Sequence, residues 1–269
     1  IEGEEGRRLD VELVAMLSDG DRPGSLRGTV QALGRTAHTV RDRISWDAWR
    51  LIGGLDAALG GRRGAPVRRP AEALERLDAV LMRLSALDGF VVESMTRGEI
   101  WHFLDTGRRL ERATHLLRVL AGTIGSRTDP EAPVLDGLLE FADSSMTYRR
   151  RYQTRVQPHA VLDLLVLDDT NPRSLLFHLL AIDRHVRGLP RESASVGLSP
   201  EERIAAEALT AVRLANADEL AVCDATGQRP TLLALTARVG GLLTALSEVI
   251  SQRYLSHAQL PRQLSRLET

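Results

Sequence analysis

The sequence predicts an all-α fold, a single bundle-like domain of roughly eight or nine helices with no sheet over residues 1–269. Leu, Ala, Arg and Glu dominate the composition, and these residues favour helices. Apolar side chains recur at spacings of three and four along nearly every segment, which is the period of one buried helix face. No run alternates apolar and polar residues as a half-buried strand would.

Turn signals divide the first part of the chain into four helical segments. A short amphipathic helix is expected over residues 7–18, and Ser25 is suited to cap the long helix that follows. The run of glycine and arginine at 60–66 predicts a loop, after which Pro70 suits the first turn of the next helix. A further helix is expected from about residue 97 to about residue 122.

The second part of the chain is also predicted to be helical throughout. Ser199 and Glu202 have the spacing of a capping box. Short loops predict that neighbouring helices run antiparallel. The expected helices cover residues 132–155, begin at 158 and at 172, and cover about 200–223 and about 230–257.

The charge balance bears on which partners are expected. The chain has 35 basic and 36 acidic side chains, a net charge of −1, so binding to nucleic acid through bulk charge is not expected. No stretch longer than nine residues lacks a charge, and on this ground a membrane-spanning helix is excluded. No secretory signal opens the chain. We therefore expect a cytoplasmic protein.

The reactive residue types exclude further classes. There is one cysteine, Cys223, and no His-Glu-x-x-His motif, so neither a disulfide framework nor a metal site is expected. All 35 basic residues are arginine, a bias typical of a GC-rich genome. The absence of lysine excludes a P-loop and a Schiff-base enzyme. No cofactor is expected.

The segment 99–115 carries the first group of candidate residues. On a helix, Arg108, Glu111 and His115 share a face beside the apolar stripe. We therefore expect Glu111 to be at least half-buried and paired with an arginine, because a carboxylate at the edge of a core needs a partner. Two interpretations stay open: a salt-bridge lock between helices, or a polar cavity for a charged ligand. In the second, the catalytic candidates are Glu111, Arg108, Arg112 and His115.

Two further clusters supply candidate ligand-binding residues. Tyr148 and Tyr152 share a helix face, and the arginines between them point in three directions. They form either a solvated basic helix end or an arginine–tyrosine pair that enters the polar cavity. In the segment 38–49, surface ion pairs beside a tryptophan are favoured. The ligand-binding candidates are Arg41, Asp42, Trp101, Tyr148, Arg149, Arg150 and Tyr152.

These segments, taken in order, resemble the alpha-E domain family, helical bacterial proteins named for a Glu-Arg motif. The family usually opens with an additional helix that carries an earlier Glu-Arg-Ala motif, which this chain lacks, and its tail more often has Phe where this chain has Leu255. Since the chain also begins at Ile1, we expect that an upstream piece is missing and that the surface it leaves supports a homodimer. The matching segments are 40–45 (VRDRIS), 99–104 (EIWHFL), 107–113 (GRRLERA), 147–152 (TYRRRY), 164–168 (LLVLD), 171–174 (NPRS) and 253–257 (RYLSH).

The resemblance implies a setting in amide-bond metabolism. Alpha-E domains are encoded beside, or fused to, circularly permuted ATP-grasp proteins, which activate a carboxylate for attack by an amine. The leading hypothesis is a non-catalytic helical partner of such a carboxylate–amine ligase acting on peptide-like substrates. The alternatives are an enzyme in its own right, with acid–base chemistry in the Glu111 pocket, and a pure scaffold.

Overall fold

The computed structural model describes residues 4–61, 67, 69–153, 155–191 and 197–255. Within these residues the predicted all-α class is confirmed, since twelve α-helices and no strand occur. One antiparallel bridge joins Ser126 to Gln228. The tail beyond residue 255 and most of the loop predicted at 60–66 lie outside the described residues.

The helix count exceeds the prediction because three predicted helices are divided. The long helix after Ser25 ends at Thr39, and Ser45 caps a new one by accepting a hydrogen bond from the Ala48 amide at 3.1 Å. The helix predicted over 132–155 is divided at Asp143, whose positive φ of 48° no helix accommodates. Asn216 caps a separate short helix within the predicted 200–223 segment.

Contacts divide the chain into two compact units, residues 1–96 and residues 97–269. The prediction of a single domain over residues 1–269 stays a prediction. The first unit has a small core built from Leu17, Val30, Leu55, Leu59, Val67 and Val80. Its helices are α1 (Glu4–Ser18), α2 (Leu26–Thr39), α3 (Trp46–Ala58) and α4 (Pro70–Ser94).

The second unit holds the larger core, in which α5 packs against α9 and α12, and α10 packs against the same two helices. Its helices are α5 (Glu99–Ile124), α6 (Ala132–Phe141), α7 (Ser145–Tyr152), α8 (Pro158–Leu162), α9 (Leu175–Val186), α10 (Pro200–Arg213), α11 (Ala217–Ala221) and α12 (Pro230–Ile250). Single π-helical turns extend α8 over Asp163–Leu167 and α12 over Ser251–Leu255.

The predicted start of α10 is confirmed. The Glu202 amide donates to the Ser199 hydroxyl at 3.4 Å, and the Ser199 amide donates to the Glu202 carboxylate at 2.8 Å. This reciprocal pair is a capping box. It satisfies two backbone donors at the helix start that would otherwise lack partners.

One helix among the described residues is long and apolar enough to cross a membrane, Pro230–Leu255. The exclusion drawn from the spacing of charges was therefore too strong. The reason is that Arg238 and Glu248 are widely separated along this helix. A single such helix is weak support for a span, since a core helix passes the same test. Six of its side chains are buried in the core of the second unit: Leu232, Thr236, Val239, Leu243, Leu246 and Ile250.

Candidate functional site

The buried face of α5 is turned relative to the one expected from the sequence. Its buried residues run from Asp105 through Ala113 to Ile124. Glu111 is exposed and has no ion pair or hydrogen bond with any residue that the structure describes. The prediction that Glu111 is half-buried and paired with an arginine is therefore wrong. The physical reason is helix geometry, since two residues turn the chain by about 200° and place Glu111 nearly opposite Ala113.

Asp105 is the carboxylate that locks α5 into the core. It is 2% exposed. It accepts hydrogen bonds on Oδ2 from His185 Nε2 at 2.7 Å and from Arg109 Nε at 3.2 Å. Arg108 Nη2 lies 3.5 Å from its other oxygen. The salt-bridge lock predicted for this segment thus exists, and it includes the candidate Arg108, but its acid is Asp105.

The surroundings of Asp105 keep it ionised. Burial alone would raise its pKa, because a carboxylate loses hydration in the core. The hydrogen bond from His185 and the charges of Arg109 and Arg108 outweigh burial and lower the pKa of Asp105 to about 2. The residue is therefore a carboxylate throughout the physiological pH range.

A second histidine extends this network along α5. The Nδ1 atoms of His102 and His185 lie 3.0 Å apart. Burial and the neighbouring His185 lower the pKa of His102. Gly188 makes room for the His102 ring, because a Cβ there would lie 2.7 Å from Nε2. The candidate Trp101 packs edge-on against His185, with ring centroids 6.2 Å apart, so it belongs to the same network.

Arg109 joins this network to a third histidine on α9. Its Nη1 lies 3.5 Å from Nδ1 of His178, which is 2% exposed. Burial, followed by the charges of Arg109 and Arg112, lowers the pKa of His178 to about 3. His178 is therefore neutral. Because a guanidinium only donates, Nδ1 accepts and the ring proton is on Nε2.

His178 lies at the wall of an open cleft of about 350 Å³. Three sequence candidates meet here, Glu111, Arg112 and His115. The His115 ring packs against Phe141, with centroids 5.4 Å apart. The cleft thus combines charges of both signs with an apolar wall. Its lining residues are Glu111, Arg112, His115, Leu116, Phe141, Ala142, Arg173 and His178.

The turn before α9 positions two of these lining residues. The Ser174 hydroxyl caps α9 by accepting from the Phe177 amide at 3.1 Å, and it donates to the Asp168 carbonyl. Asn171 accepts from the Arg173 amide at 3.0 Å and donates to the Leu164 carbonyl at 3.1 Å. The segment 164–174 therefore fixes the place of Arg173 at the cleft and the start of the helix that carries His178.

The tyrosine cluster is built into the core and does not line this cleft. The Tyr148 hydroxyl donates to the Arg155 carbonyl and accepts from the Gln157 amide, both at 3.2 Å. The Tyr152 hydroxyl donates to Asp163 at 2.5 Å. Burial and Asp163 raise the pKa of Tyr152 to about 12. These contacts close the loop between α7 and α8.

The arginine of this cluster that turns inward is Arg151, which pairs with the buried Asp168. The candidates Arg149 and Arg150 are exposed. Arg149 lines a separate depression of about 590 Å³ together with Tyr148. The interpretation in which this cluster enters a polar cavity with Glu111 is therefore wrong, because α7 faces the loop before α8.

The remaining candidates, Arg41 and Asp42, lie in the first unit. The Arg41 guanidinium lies 5.0 Å from the ring centroid of Trp49 and 5.5 Å from that of Trp46. Asp42 is an exposed neighbour of Arg43, with Oδ2 and Nε 3.7 Å apart. This arrangement agrees with the surface ion pair beside tryptophan that the sequence favoured.

Sequence reasoning missed Asp105, His102, His178 and His185. The spacing of Asp105 and Arg109, four residues apart on a helix, was the available signal for the ion pair. Nothing local pairs α5 with α9, so the histidine partners needed the tertiary structure. Among the residues that the structure describes, no group of three or more His, Cys, Asp or Glu side chains could hold a metal ion.

Comparison with known proteins identifies relatives over nearly the whole chain. The Alpha-E family, described as a predicted alpha-helical domain with a conserved ER motif, matches residues 2–255. Uncharacterized proteins of Mycobacterium bovis and of two Mycobacterium tuberculosis strains are each 31% identical over 254 residues. That match covers 91% of this chain and 28% of each relative, so the chain spans less than a third of their length. No solved structure matches the chain.

Proposed function

The chain belongs to the Alpha-E family, and from that premise we propose that it is the helical partner domain of a circularly permuted ATP-grasp ligase, fused or separate. In this role it catalyses no step by itself. It serves an enzyme that joins a carboxylate to an amine on peptide-like substrates, in the cytoplasm. It needs no metal, cofactor, nucleic acid or membrane of its own.

The exposure of Glu111 carries this proposal. Glu111 is exposed at the cleft and has no ion pair or hydrogen bond among the residues that the structure describes. Such a carboxylate contributes little to folding stability and is available to another molecule. Arg112 and Arg173 line the same cleft, so the site can position a charged group. The matched relatives are more than three times as long as the match, which is consistent with a module that works beside other domains.

Reconstitution with the companion ATP-grasp protein tests the proposal. Amine-dependent ADP release is measured with and without this chain. We expect the chain to stimulate release, and Arg112→Met to reduce the stimulation. Arg118→Met is the matched control, because Arg118 is an exposed arginine of α5 outside the cleft. ADP release that is unchanged by the chain contradicts the proposal.

An enzyme in its own right is the second candidate, favoured by one observation. Glu111 and His115 lie one turn apart, both exposed at the cleft, where an acid and a base could act on one substrate. Turnover of a peptide or amide by this chain alone, abolished by Glu111→Gln, supports this candidate over the partner domain. If neither assay responds to changes in the cleft, the scaffold is the better account.

A further inference from the structure

His178 presents an unused hydrogen-bond donor at the wall of the cleft. Its Nδ1 accepts from Arg109, so the ring proton is on Nε2. Nε2 has no hydrogen-bond partner among the residues that the structure describes. A donor in the wall of a cleft can bind an acceptor atom of a ligand.

The charges around this donor favour an oxyanion. Arg112 and Arg173 line the cleft, and the positive charges of both act on His178. Arg112 comes from α5, whereas Arg173 lies just before α9, where its amide donates to Asn171 and its Nη2 donates to Asp143 Oδ2 at 3.1 Å. A guanidinium has five N–H donors, so an arginine with one ion pair can still bind a carboxylate. A carboxylate accepts several hydrogen bonds in one plane and suits a guanidinium in particular.

The same cleft also carries a negative group. Glu111 lines it and has no partner in the described part of the chain. A carboxylate in this position favours a cation that can donate hydrogen bonds, such as an ammonium group. The cleft therefore suits a ligand that bears both charges.

Apolar groups and size restrict the rest of the ligand. Leu116, Phe141 and Ala142 line the cleft, and Phe141 is exposed although it is a large apolar side chain. A volume of about 350 Å³ is at the lower end of the range for small-molecule sites. The body of the ligand should therefore be small and apolar.

We propose that this cleft binds a free apolar α-amino acid, with its carboxylate on His178, Arg112 and Arg173 and its ammonium group on Glu111. The inference deepens the proposed function and rests on it for the ligand's role, since an amino acid is an amine acceptor for a carboxylate–amine ligase. Binding itself requires only this chain.

Titration calorimetry of the full chain with L-leucine tests the proposal. Two fragments of leucine serve as comparisons: 4-methylpentanoate, which lacks the amine, and 3-methylbutylamine, which lacks the carboxylate. We expect leucine to bind at least about tenfold more tightly than either fragment, because each charged hydrogen-bonded contact contributes roughly this factor. Leucine that does not bind at millimolar concentration, or binds no more tightly than 4-methylpentanoate, overturns the proposal.

Two exposed substitutions locate the site. Glu111→Gln should weaken leucine binding about tenfold and leave 4-methylpentanoate unchanged, whereas Arg112→Met should weaken both about tenfold. Glu248→Gln and Arg118→Met, both exposed and outside the cleft, should change neither. Leucine binding that is insensitive to both cleft variants places the ligand elsewhere and overturns the proposal.

The two proposals fail in distinguishable ways. Stimulation of the ligase without leucine binding to this chain overturns the amino acid site and leaves the partner domain intact. Leucine binding without stimulation contradicts the partner domain and leaves the site intact.

Discussion

His185 Nε2 donates a hydrogen bond of 2.7 Å to Oδ2 of Asp105, and this buried contact joins α9 to α5. Asp105 also binds Arg109, which reaches on to His178 at the cleft. One chain of contacts therefore connects the structural lock to the candidate site. Asp105 is the buried acid of α5, whereas Glu111 on the same helix is exposed at the cleft.

Replacing Asp105 should destabilise the protein strongly. Asp105→Asn keeps the shape of the side chain but removes the charge that compensates Arg108 and Arg109. Loss of one member of a buried ion pair costs about 3–5 kcal/mol. The free energy of unfolding in urea measures the effect, with the exposed Asp136→Asn as the control. A loss of stability no larger than that of the control contradicts the assigned role of Asp105.

Stability should fall as the pH is lowered below about 6.5. The pKa of His178 is lowered from 6.5 to about 3 in the folded chain. As the pH falls below 6.5, the unfolded chain therefore binds a proton at His178 and the folded chain does not. The His102 pKa is shifted in the same direction. The free energy of unfolding should therefore decrease progressively as the pH falls from about 6.5 to about 3. Asp105, with its pKa lowered from 3.8 to about 2, adds a loss of the same sign below about pH 4.

Urea unfolding at a series of pH values measures this dependence. His178→Gln should flatten the fall in unfolding free energy between pH 6.5 and pH 5, where few carboxylates titrate. His159→Gln, at an exposed histidine, should leave the slope as it is. An unchanged slope in His178→Gln contradicts a neutral, buried His178.

A methyl group at position 188 should disturb the paired histidines. In Gly188→Ala the new Cβ would lie 2.7 Å from His102 Nε2, so the ring has to move away from His185. We expect a loss of about 1 kcal/mol and altered NMR signals of both rings. Gly137→Ala is the control, because nothing lies within 4 Å of a Cβ there. Ring signals identical to those of the parent protein contradict the close packing of His102.

The first unit should support self-association. Leu74, Leu81 and Met82 of α4 are exposed although they are large and apolar. Large apolar side chains exposed to water are stabilised by burial against another surface. We therefore expect a dimer or a concentration-dependent state in sedimentation velocity, weakened by Leu81→Gln. A monomer at all concentrations contradicts this expectation.

The fold could be predicted from the sequence to the extent that it follows from local rules. Periodicity predicted the helical class, and Ser25, Pro70, Pro158 and Ser199 predicted helix starts, because caps depend on neighbouring residues. The helix predicted to begin at 172 begins at Leu175, because Ser174 is its cap. Breaks at Asp143 and Asn216 were missed, since both residues also occur within helices. Each break divides a stretch whose apolar spacing reads as continuous.

The site could be predicted only in part. The residues Glu111, Arg112 and His115 were identified because they are neighbours on one helix. The burial of Glu111 was misjudged, because the buried side of α5 is the side of Asp105, Ala113 and Ile124. The partners His178 and His185 come from α9 and Arg173 comes from the turn before it, more than sixty residues away, and local patterns say nothing about such pairing.

The central claim is that Glu111 acts in the stimulation of the partner ligase and does not contribute to folding stability. Glu111→Gln tests this claim most directly. The variant is compared with Glu248→Gln in two measurements, the free energy of unfolding and the stimulation of amine-dependent ADP release by the companion ligase. The account predicts a change in stability below about 0.5 kcal/mol, as for an exposed residue, together with a clear loss of stimulation. A loss of stability of about 3 kcal/mol, typical of a broken buried ion pair, or full stimulation in a stable variant, would contradict it.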